Sequence, residues 1–452
     1  MNESDREALK IPALGVVALI GVSGSGKSTF ARKHFVPTEV LSSDTCRAWV
    51  ADNEADQTAT DDAFAVLYAV AELRLRRGKL TVIDATSVQP FARKGIVQLA
   101  RSQHVFATAI VLDLPLDECL ARNAARGERQ VPEEAIRRQH KELRRNLDKL
   151  RQEGFRNVYV LDSQAAVAAA TIERTRMWHD RTDDHGPFDI IGDVHGCIDE
   201  LRTLLDRLGY VQSEREGQLV YAHPAGRRAL FLGDLCDRGP GTPAAYRLVM
   251  AMVRHRTGLC IPGNHEIKLL KWLQGRNVRM THGLDRSVAQ LQAEPEEFRN
   301  EVATFIDRLI SHFVLDDGKL VVAHAGLKEA MQGRSSGGVR EFCLYGETTG
   351  ETDDYGLPVR VDWAEQYRGR ALVVYGHTPV PEVQWRNNAV CIDTGCVFGG
   401  ALTALRYPER EIVSVPAQRV YFESPKPFLP ARAADESVTS VARDEAGAKL
   451  EA

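Results

Sequence analysis

Residues 15–29 read GVVALIGVSGSGKST, an apolar run that leads directly into a glycine-rich loop. The loop matches the pattern G-x-x-x-x-G-K-[ST], and a helical pattern follows it. Backbone N–H groups of such a loop close around phosphate oxygens, and the N-terminus of the next helix adds positive charge. The stretch therefore predicts a strand, a phosphate-binding loop and a helix, and it favours this function over an ordinary glycine-rich turn.

The chemistry of this loop indicates which residues contact a nucleotide. Lys27 can reach the β- and γ-phosphates, and the hydroxyl group of Ser28 is placed to hold Mg²⁺. We therefore expect ATP or another NTP with Mg²⁺ as the cofactor. The expected nucleotide contacts are Gly21, Ser23, Gly24, Ser25, Gly26, Lys27, Ser28 and Thr29.

Apolar runs alternate with helical patterns from residue 14 to about residue 165. Strands that alternate with helices predict a parallel sheet covered on both faces. The sequence thus predicts an α/β P-loop kinase domain over residues 1–170, followed by a helix-like linker over residues 171–185. The predicted strands include GVVALI, KLTVIDAT, VFATAIVLDL and RNVYVLD.

The run EVLSSDTCR ends a further apolar strand and places Asp44 near the carboxyl edge of the sheet, where such folds bind ligands. A carboxylate there can accept the proton of an attacking hydroxyl group, and Arg47 can grip an acceptor phosphate. The same two residues also fit a helix-capping aspartate beside a surface arginine.

Three arginines at helical spacing follow the next strand: Arg122, Arg126 and Arg129. They fit a lid over the transferring phosphoryl group, and they equally fit a plain basic helix face. Asp84, which ends a strand within TVIDAT, fits a carboxylate that orders Mg²⁺ or its waters.

A second alternation starts at FDIIGDVHG and runs to about residue 423. Five of its blocks, GDVHG, GDLCDRG, GNHE, VVAHAG and VVYGHT, place polar residues just past an apolar strand. These residues are expected to converge at one edge of a sheet. We therefore predict a separate α/β domain over residues 186–423 and a disordered tail over residues 424–452.

The donors in these blocks fit two metal ions that share one carboxylate, and the ions acidify a water molecule that serves as nucleophile. Oxygen and imidazole donors without thiolate suit Mn²⁺, Fe or Zn²⁺. The predicted ligands are Asp193 and His195 at the first ion, Asn264, His324 and His377 at the second, and Asp234 between them.

Two residues beside the ligands fit direct roles on the substrate. Arg238 would clamp the phosphate, and His265 would protonate the leaving oxygen. Each histidine taken singly also fits a purely structural role. Five blocks in the same strand–loop setting favour a two-metal hydrolase.

These motifs resemble known families. G-D-x-H-G, G-D-x-x-D-R-G, G-N-H-E and the later histidine blocks look like the calcineurin-like metallophosphoesterases. With the P-loop, SSDTCR and RQVPEEAIRR before them, the chain resembles bacterial polynucleotide kinase–phosphatase of the RNA-repair type over about residues 10–423. The resemblance implies an NTP-dependent kinase for 5′-hydroxyl ends. It also implies a phosphatase that uses Mn²⁺ or Ni²⁺ to remove 2′- or 3′-phosphates and to open 2′,3′-cyclic phosphates.

The same resemblance assigns roles to individual residues. It implies that Asp44 is the acceptor base, that Arg47 grips a phosphate and that Arg122 and Arg126 form a lid. It further implies that Asp393, in CIDTG, orients the phosphate end. The expected partners are RNA or DNA ends.

Members of this family typically continue into a ligase-like adenylyltransferase domain with a K-x-D-G-type motif, which does not occur in these 452 residues. We therefore expect that such a domain was removed from this chain or that another protein seals the ends. Family members also act with a methyltransferase partner. The sequence leaves homodimer formation and the choice between RNA and DNA open.

Composition limits the other function classes. The net charge of −4 requires that any basic surface for nucleic acid is local. The chain has no apolar run of about 18 residues and no secretory signal, so no membrane partner is expected. Its eight scattered cysteines lack a C-x-x-C pair, which argues against a zinc or disulfide framework and favours a reducing cytoplasm.

Two alternatives stay open on the residues alone. One is a protein Ser/Thr or dinucleoside-polyphosphate phosphatase fused to a small-molecule kinase, which the metal motifs fit equally well. The other is a non-catalytic nucleotide-sensing adaptor. The adaptor would require degenerate catalytic positions, whereas Lys27, Asp44 and the six metal ligands are present.

Overall fold

The computed structural model of the chain describes residues 8–127 and 130–424. The tertiary contacts divide the chain into two compact units. Within the described ranges, the N-terminal unit comprises the residues up to 181 together with residues 328–341, and the C-terminal unit comprises residues 182–327 and those from 342 onward.

The N-terminal unit alternates strands and helices. Its strands are β1 (Leu9–Pro12), β2 (Gly15–Gly21), β3 (Val40–Ser42), β4 (Thr81–Asp84), β5 (Phe106–Leu112), β6 (Asn157–Leu161), β7 (Ile172–Thr175) and β8 (Asp180–Arg181). Its helices are α1 (Lys27–His34), α2 (Ser43–Ala51), α3 (Thr60–Arg76), α4 (Pro90–Ser102), α5 (Leu116–Ala124), α6 (Glu133–Asn146), α7 (Leu150–Glu153) and α8 (Gln164–Ala169).

Five of these strands form a parallel sheet in the order β3-β4-β2-β5-β6. The central strand β2 is buried along its whole length, which explains its uninterrupted apolar sequence. Its side chains alternate between two apolar clusters: Val16, Ala18 and Ile20 belong to one, and Val17 and Leu19 to the other. The predicted parallel sheet with both faces covered is therefore confirmed.

Two features of this unit were not predicted from the sequence. Residues 171–185, expected as a linker, contain the strands β7 and β8, and β7 pairs in parallel with β1. Residues 328–341 also belong to this unit, because the guanidinium group of Arg334 donates to the carbonyl oxygens of Gln103 at 2.6 Å and Leu75 at 2.8 Å. Both placements depend on contacts between distant parts of the chain, which hydrophobic periodicity does not report.

The remaining elements follow in chain order. The strands are β9 (Phe188–Ile191), β10 (Val211–Arg215), β11 (Gln218–Ala222), β12 (Arg228–Phe231), β13 (Gly258–Cys260), β14 (His312–Leu315), β15 (Leu320–Ala323), β16 (Thr348–Thr352), β17 (Pro358–Arg360), β18 (Leu372–Tyr375), β19 (Gln384–Arg386), β20 (Ala389–Cys391), β21 (Ala401–Tyr407) and β22 (Glu411–Pro416). The helices are α9 (Ile198–Leu208), α10 (Thr242–Arg254), α11 (Asn264–Leu273), α12 (Leu284–Gln292), α13 (Glu296–Arg308), α14 (Gly337–Tyr345) and α15 (Trp363–Gln366).

The C-terminal unit is built around two sheets that share a core. The first has the order β13-β12-β9-β21-β22, and the second contains β19-β20-β18-β15-β14 in that order. Ile190 and Leu230 of the first sheet and Val322 and Val374 of the second lie in one cluster, all with 0% exposure. This is the interior of a two-sheet sandwich, with further apolar contacts made by the helices outside it.

The strands that precede the polar blocks run in parallel within each sheet. In the first sheet β9, β12 and β13 are parallel, and in the second β15, β18 and β20 are parallel. Because the carboxyl ends of parallel strands meet at one edge of a sheet, the loops that follow these strands are brought together. The fold thus explains why each short polar block comes directly after an apolar run.

None of the helices in the described part of the chain combines the length and the apolar character that a membrane crossing requires. The eight cysteines are buried as free thiols. The predicted tail lies outside the described residues, apart from residue 424 at its start.

Candidate active sites

The phosphate-binding loop of the N-terminal unit connects β2 to α1. Gly24 and Gly26 have φ angles of 86° and 94°, in the left-handed region that glycine adopts without strain. A Cβ atom on Gly24 would lie 2.2 Å from the carbonyl oxygen of Cys119, so this position admits no side chain. The two glycines therefore permit the tight backbone path that a phosphate cradle requires.

The charged groups of this loop lie side by side. The Nζ atom of Lys27 donates to the carbonyl oxygens of Gly21 at 2.8 Å and Val22 at 3.0 Å. Burial lowers the pKa of Lys27, and the carboxylates of Asp84 and Asp44 oppose that shift. The lysine ammonium group is therefore close to both acids.

The Mg²⁺ position predicted from the sequence has the donors that it needs. The Oγ atom of Ser28 donates to Oδ2 of Asp84 at 2.6 Å. A hydroxyl group and a carboxylate are oxygen ligands of the kind that Mg²⁺ prefers. The structure thus brings Ser28 and Asp84 together at the start of α1.

The acceptor residues Asp44 and Arg47 form an ion pair on α2. The Nη1 atom of Arg47 donates to Oδ1 of Asp44 at 2.9 Å and to the carbonyl oxygen of Glu54 at 2.8 Å. Arg47 is only 5% exposed, so it is not a surface arginine. The helix is capped by Ser42, whose hydroxyl group accepts from the N–H of Thr45 at 3.4 Å. The reading of Asp44 as a helix cap is therefore wrong.

The predicted lid arginines have different positions. Arg122, on α5, donates from Nη1 to the carbonyl oxygen of Ser25 in the phosphate-binding loop at 3.3 Å. Arg126 is exposed just beyond α5, and Arg129 lies outside the described residues. The loop also receives an unpredicted contact from α6, because Oε1 of Gln139 accepts from the N–H of Ser23 at 2.9 Å.

Asp234 lies at the centre of the site in the C-terminal unit. Its Oδ2 atom is 3.6 Å from Nε2 of His195 and 3.5 Å from Nε2 of His324. Two groups of candidate ligands share this carboxylate, one with His195 and His265 and the other with His324 and His377. The geometry agrees with the expectation of a shared aspartate, and it also brings His265, expected as an acid, to 3.9 Å from Oδ2.

The second group of ligands is completed by Asn264. The Nε2 atom of His324 is 3.0 Å from Oδ1 of Asn264 and 3.0 Å from Nδ1 of His377. Asp193 joins this edge of the site, because its Oδ2 atom accepts from the N–H of His377 at 3.1 Å. A Cβ atom on Gly376 would lie 2.2 Å from Oδ1 of Asp193, so only glycine leaves room for the carboxylate.

Backbone carbonyl groups orient two of the imidazole rings. The Nδ1 atoms of His195 and His324 donate to the carbonyl oxygens of Cys236 at 2.7 Å and Leu232 at 3.0 Å. Their Nε2 atoms are therefore unprotonated and directed toward Asp234. Burial lowers the pKa of both rings, that of His324 to about 3, so both stay neutral. Neutral imidazole is the form that binds a metal ion.

The residues present fit divalent metal ions. Oδ1 of Asp193 and Nε2 of His377 are buried without a hydrogen-bond partner among the described residues. Burial raises the pKa of Asp193 and of Asp234, and neighbouring carboxylates raise both further. A cation between them would satisfy these donors and restore the charged carboxylates.

Glu266, in the GNHE block, holds the surrounding loops together. Its buried carboxylate accepts from the N–H groups of Asp234 at 2.7 Å, Leu235 at 2.8 Å and Gly263 at 2.8 Å. No role was predicted for Glu266 from the sequence. Its position in a block of candidate ligands was the signal that could have identified it.

A histidine and two charged side chains form a hydrogen-bonded group beside the candidate ligands. The Nη1 atom of Arg238 donates to Nε2 of His195 at 2.6 Å, and Nη2 donates to Nε2 of His265 at 3.0 Å. On its other side, Nδ1 of His265 donates to Oδ2 of Asp237 at 2.5 Å. Asp237 was not predicted as functional, although it lies in GDLCDRG beside Arg238.

Asp393, expected to orient the phosphate end, lies near Asp193. Its Oδ1 atom accepts from the N–H of Gly395 at 3.0 Å, and its charge raises the pKa of Asp193 beyond the effect of burial. Burial raises the pKa of Asp393 itself to about 6. The structure therefore gathers all the predicted metal and phosphate residues of the C-terminal unit in one site.

Comparison with protein families agrees with this division. Residues 16–150 match the AAA domain, and residues 186–401 match the calcineurin-like phosphoesterase family. Both matches cover the motifs from which the two sites were predicted.

Two curated relatives resemble the C-terminal part of the chain over nearly their whole length. Bis(5′-nucleosyl)-tetraphosphatase PrpE of Anoxybacillus flavithermus is 48% identical over 246 residues, which cover 53% of this chain and 99% of the relative. The same protein of Halalkalibacterium halodurans is 49% identical over 236 residues, covering 51% of this chain and 94% of the relative.

Among solved structures, the chain is similar to one in the Pnkp1/Rnl/Hen1 RNA repair complex, with 18% identity and a TM-score of 0.28 over 58% of this chain and 82% of that one. This score is too low to support a conclusion. The sequence matches and the arrangement around Asp234 do support one: the chain belongs to the calcineurin-like phosphoesterase family and carries a P-loop domain in front of its phosphoesterase domain.

Proposed function

We propose that the chain heals the ends of broken nucleic acid, with RNA as the preferred substrate. The N-terminal unit phosphorylates 5′-hydroxyl ends with an NTP, and the C-terminal unit removes 2′- or 3′-phosphates and opens 2′,3′-cyclic phosphates. The observation that carries this proposal is the Asp44–Arg47 pair near the phosphate-binding loop, in a chain that also has a two-metal phosphoesterase site. One site adds phosphate to an end, and the other removes it.

The kinase step follows from the residues of the N-terminal unit. The phosphate-binding loop and Lys27 would hold the β- and γ-phosphates of the NTP, and Ser28 with Asp84 would hold Mg²⁺. Asp44 accepts the proton of the 5′-hydroxyl group as it attacks the γ-phosphorus, and the bond to the bridging oxygen of the NTP breaks. Arg47 holds the acceptor strand, and Arg122, already in contact with the loop, stabilises the transferring phosphoryl group.

The phosphatase step depends on residues around Asp234. When bound, two divalent ions, Mn²⁺ or Ni²⁺, would acidify a water molecule and neutralise charge on the phosphate. Arg238 holds the phosphate oxygens. These oxygens replace the Nε2 atoms of His195 and His265 as acceptors of its guanidinium group. Once the substrate phosphate has drawn Arg238 away from Nε2 of His265, that nitrogen carries the proton that passes to the leaving ribose oxygen, and Asp237, bound at Nδ1, stabilises the protonated ring. Asp393 orients the phosphate-bearing end of the nucleic acid.

A second candidate is favoured by one observation. The C-terminal part is 48% identical to PrpE of Anoxybacillus flavithermus, whose name describes an asymmetrical bis(5′-nucleosyl)-tetraphosphatase. The second candidate is therefore hydrolysis of dinucleoside tetraphosphates, with the N-terminal unit acting on a small molecule. The same metal site would serve both reactions, because each is a hydrolysis of a phosphate ester or anhydride.

The two candidates are separated by product analysis. The full chain is incubated with an RNA that has a 5′-hydroxyl group and a 2′,3′-cyclic phosphate, with labelled ATP, Mg²⁺ and Mn²⁺, and separately with a dinucleoside tetraphosphate. End healing predicts a labelled 5′-phosphate and metal-dependent loss of the cyclic phosphate. Cleavage of the tetraphosphate with both RNA ends unchanged would refute end healing and favour the second candidate.

A further inference from the structure

A cavity of about 490 Å³ opens beside the loop that carries Arg238 in the C-terminal unit. Gly239 and Pro240, which directly follow Arg238, line one side of it, and residues of α12 and of the segment after β22 line the rest. Among the described residues that line the cavity, the charged ones are Arg286 and Arg419, and none is acidic. The cavity is therefore basic, and it adjoins the candidate metal centre without containing any of its ligands.

The segment after β22 is held against the body of the unit. The Oε1 atom of the buried Glu200 accepts from the N–H of Gln418 at 2.9 Å and from the hydroxyl group of Tyr421 at 2.8 Å. The N–H groups of Tyr421 and Phe422 both donate to the carbonyl oxygen of Val397 at 3.0 Å. The wall that this segment gives to the cavity is thus fixed by hydrogen bonds.

Arg286 is joined to Arg238 by a backbone contact and by two aromatic rings. The Nη1 atom of Arg286 donates to the carbonyl oxygens of Arg238 at 2.7 Å and Tyr421 at 2.8 Å. The guanidinium carbon of Arg238 lies 5.0 Å from the ring centroid of Phe398, and that of Arg286 lies 5.2 Å from the ring centroid of Phe422. The centroids of these two rings are 6.5 Å apart. The two guanidinium groups therefore lie over separate, neighbouring rings.

The two arginines of the cavity have unused hydrogen-bonding capacity. Neither Arg286 nor Arg419 pairs with a carboxylate in the part of the chain that the structure describes, and both are exposed. Arg286 makes its two carbonyl contacts through one nitrogen, and the guanidinium group of Arg419 lies 5.0 Å from the ring centroid of Tyr421. A guanidinium group has five N–H donors in a fork that matches phosphate oxygens. The cavity therefore has the donors for an anionic phosphate.

We propose that this cavity binds a second phosphate group of the substrate, the phosphodiester that precedes the reacting terminal phosphate in a nucleic acid strand. A phosphodiester has two unesterified oxygens, one for each of Arg286 and Arg419. Because the guanidinium groups of Arg238 and Arg286 lie over separate rings, they suit two phosphates separated by a ribose better than two joined by one oxygen atom. The proposal rests on the proposed phosphatase activity and narrows its substrate to strand ends.

The test measures competition with the hydrolysis of an aryl phosphate by the full chain loaded with Mn²⁺. One competitor is uridine 3′-monophosphate, which has only the terminal phosphate. The second is uridine 3′,5′-bisphosphate, whose 5′-phosphate takes the place of the phosphodiester. A dinucleoside tetraphosphate, with directly joined phosphates, is the third. The variants are Arg286→Ala, Arg419→Ala and the matched control Arg370→Ala, which removes an exposed arginine of the same unit.

The quantity compared is the ratio of the competition constants of the monophosphate and the bisphosphate. We expect a ratio of about ten or more in the wild type and in Arg370→Ala, as one charge-assisted contact would give. Arg286→Ala and Arg419→Ala should each bring the ratio close to one. Using a ratio removes any change at the terminal phosphate that a shift of Arg238 in Arg286→Ala would cause.

Equal competition by the two uridine nucleotides in the wild type, or a ratio that both variants leave unchanged, would overturn the proposal. It would also be overturned if the variants weakened only the dinucleoside tetraphosphate, since the cavity would then bind a phosphate anhydride. RNA ends left unmodified by the wild type, with the ratio and its loss as expected, would refute end healing and not this site. If the wild type hydrolysed no aryl phosphate, the proposed activity would fail, and calorimetric titration with the same nucleotides would give the ratio.

Discussion

The Nδ1 atom of His265 lies 2.5 Å from Oδ2 of Asp237, and this contact directs the opposite ring nitrogen toward Arg238. Asp237 has 0% exposure, so the carboxylate is fixed and its partner ring cannot rotate freely. Burial raises the pKa of Asp237 to about 7 and lowers that of His265. The pair therefore fixes the orientation of the ring, and Nε2, which here accepts from Arg238, is the nitrogen that would have to be protonated to act on a leaving oxygen.

The role of His265 as an acid predicts a dependence on the leaving group. His265→Ala should lower the rate on a 3′-phosphate RNA end by about 10²- to 10⁴-fold, because a ribose hydroxyl group leaves poorly without a proton. An activated aryl phosphate should lose much less. Asp237→Asn should show the same pattern more weakly. Equal losses on both substrates, or loss of bound metal in His265→Ala, would contradict the assignment.

Asp234 is predicted to be the most damaging ligand to remove. It is the carboxylate shared by both ligand groups, so Asp234→Ala deletes a donor from each and leaves two cations without the negative charge between them. His195→Ala and His377→Ala each remove one imidazole, and excess metal should partly restore their activity. Metal content by atomic emission decides the matter: two ions per chain in Asp234→Ala would show that the carboxylate is not shared.

The kinase site predicts an effect of Arg47 on the acceptor. Arg47→Ala should raise the KM for a 5′-hydroxyl oligonucleotide about tenfold or more and change the KM for ATP less, since a lost grip on the acceptor is mainly a loss of binding. Because Arg47 is buried against Glu54, thermal unfolding of the variant serves as the control for folding. A similar rise in both KM values would count against this role.

A buried ion pair beside β9 predicts a large stability effect. Asp189 has 0% exposure, and Arg227 donates to it from Nη2 at 3.0 Å. Arg227→Ala leaves this carboxylate without its main partner, and we expect a loss of about 3–5 kcal/mol in the free energy of unfolding. Arg254→Ala, an exposed arginine on α10, should change it by less than about 0.5 kcal/mol. Denaturant unfolding of both variants checks this, and equal small effects would contradict it.

The sequence predicted the parts of the fold that depend on local pattern. β2 and the glycine-rich loop could be read directly, because a fully buried strand is apolar throughout and the φ angles of Gly24 and Gly26 require glycine. The metal residues could be read as well, since parallel strands bring His324 and His377 to one edge whatever the intervening loops do. These features are encoded within a few neighbouring residues.

The features that were missed depend on tertiary contacts. Asp237 and His265 are 28 residues apart in the sequence, and only the fold of the loops around the centre brings the carboxylate into contact with the ring. The placement of residues 328–341 in the N-terminal unit likewise depends on Arg334 finding backbone carbonyl groups that are distant in sequence. Such contacts leave no periodic signal in the chain.

The most direct measurement compares variants of the two sites on a single RNA that has a 5′-hydroxyl group and a 2′,3′-cyclic phosphate, with both ends followed in the same reaction. Lys27→Ala and Asp44→Ala should abolish labelling of the 5′ end and leave removal of the cyclic phosphate nearly intact, whereas Asp234→Ala should do the reverse. This follows because the three residues belong to two sites in separate units. If any one substitution removed both activities in protein that stays folded, or if the wild type modified neither end, the account of two opposed phosphate chemistries in one chain would be contradicted.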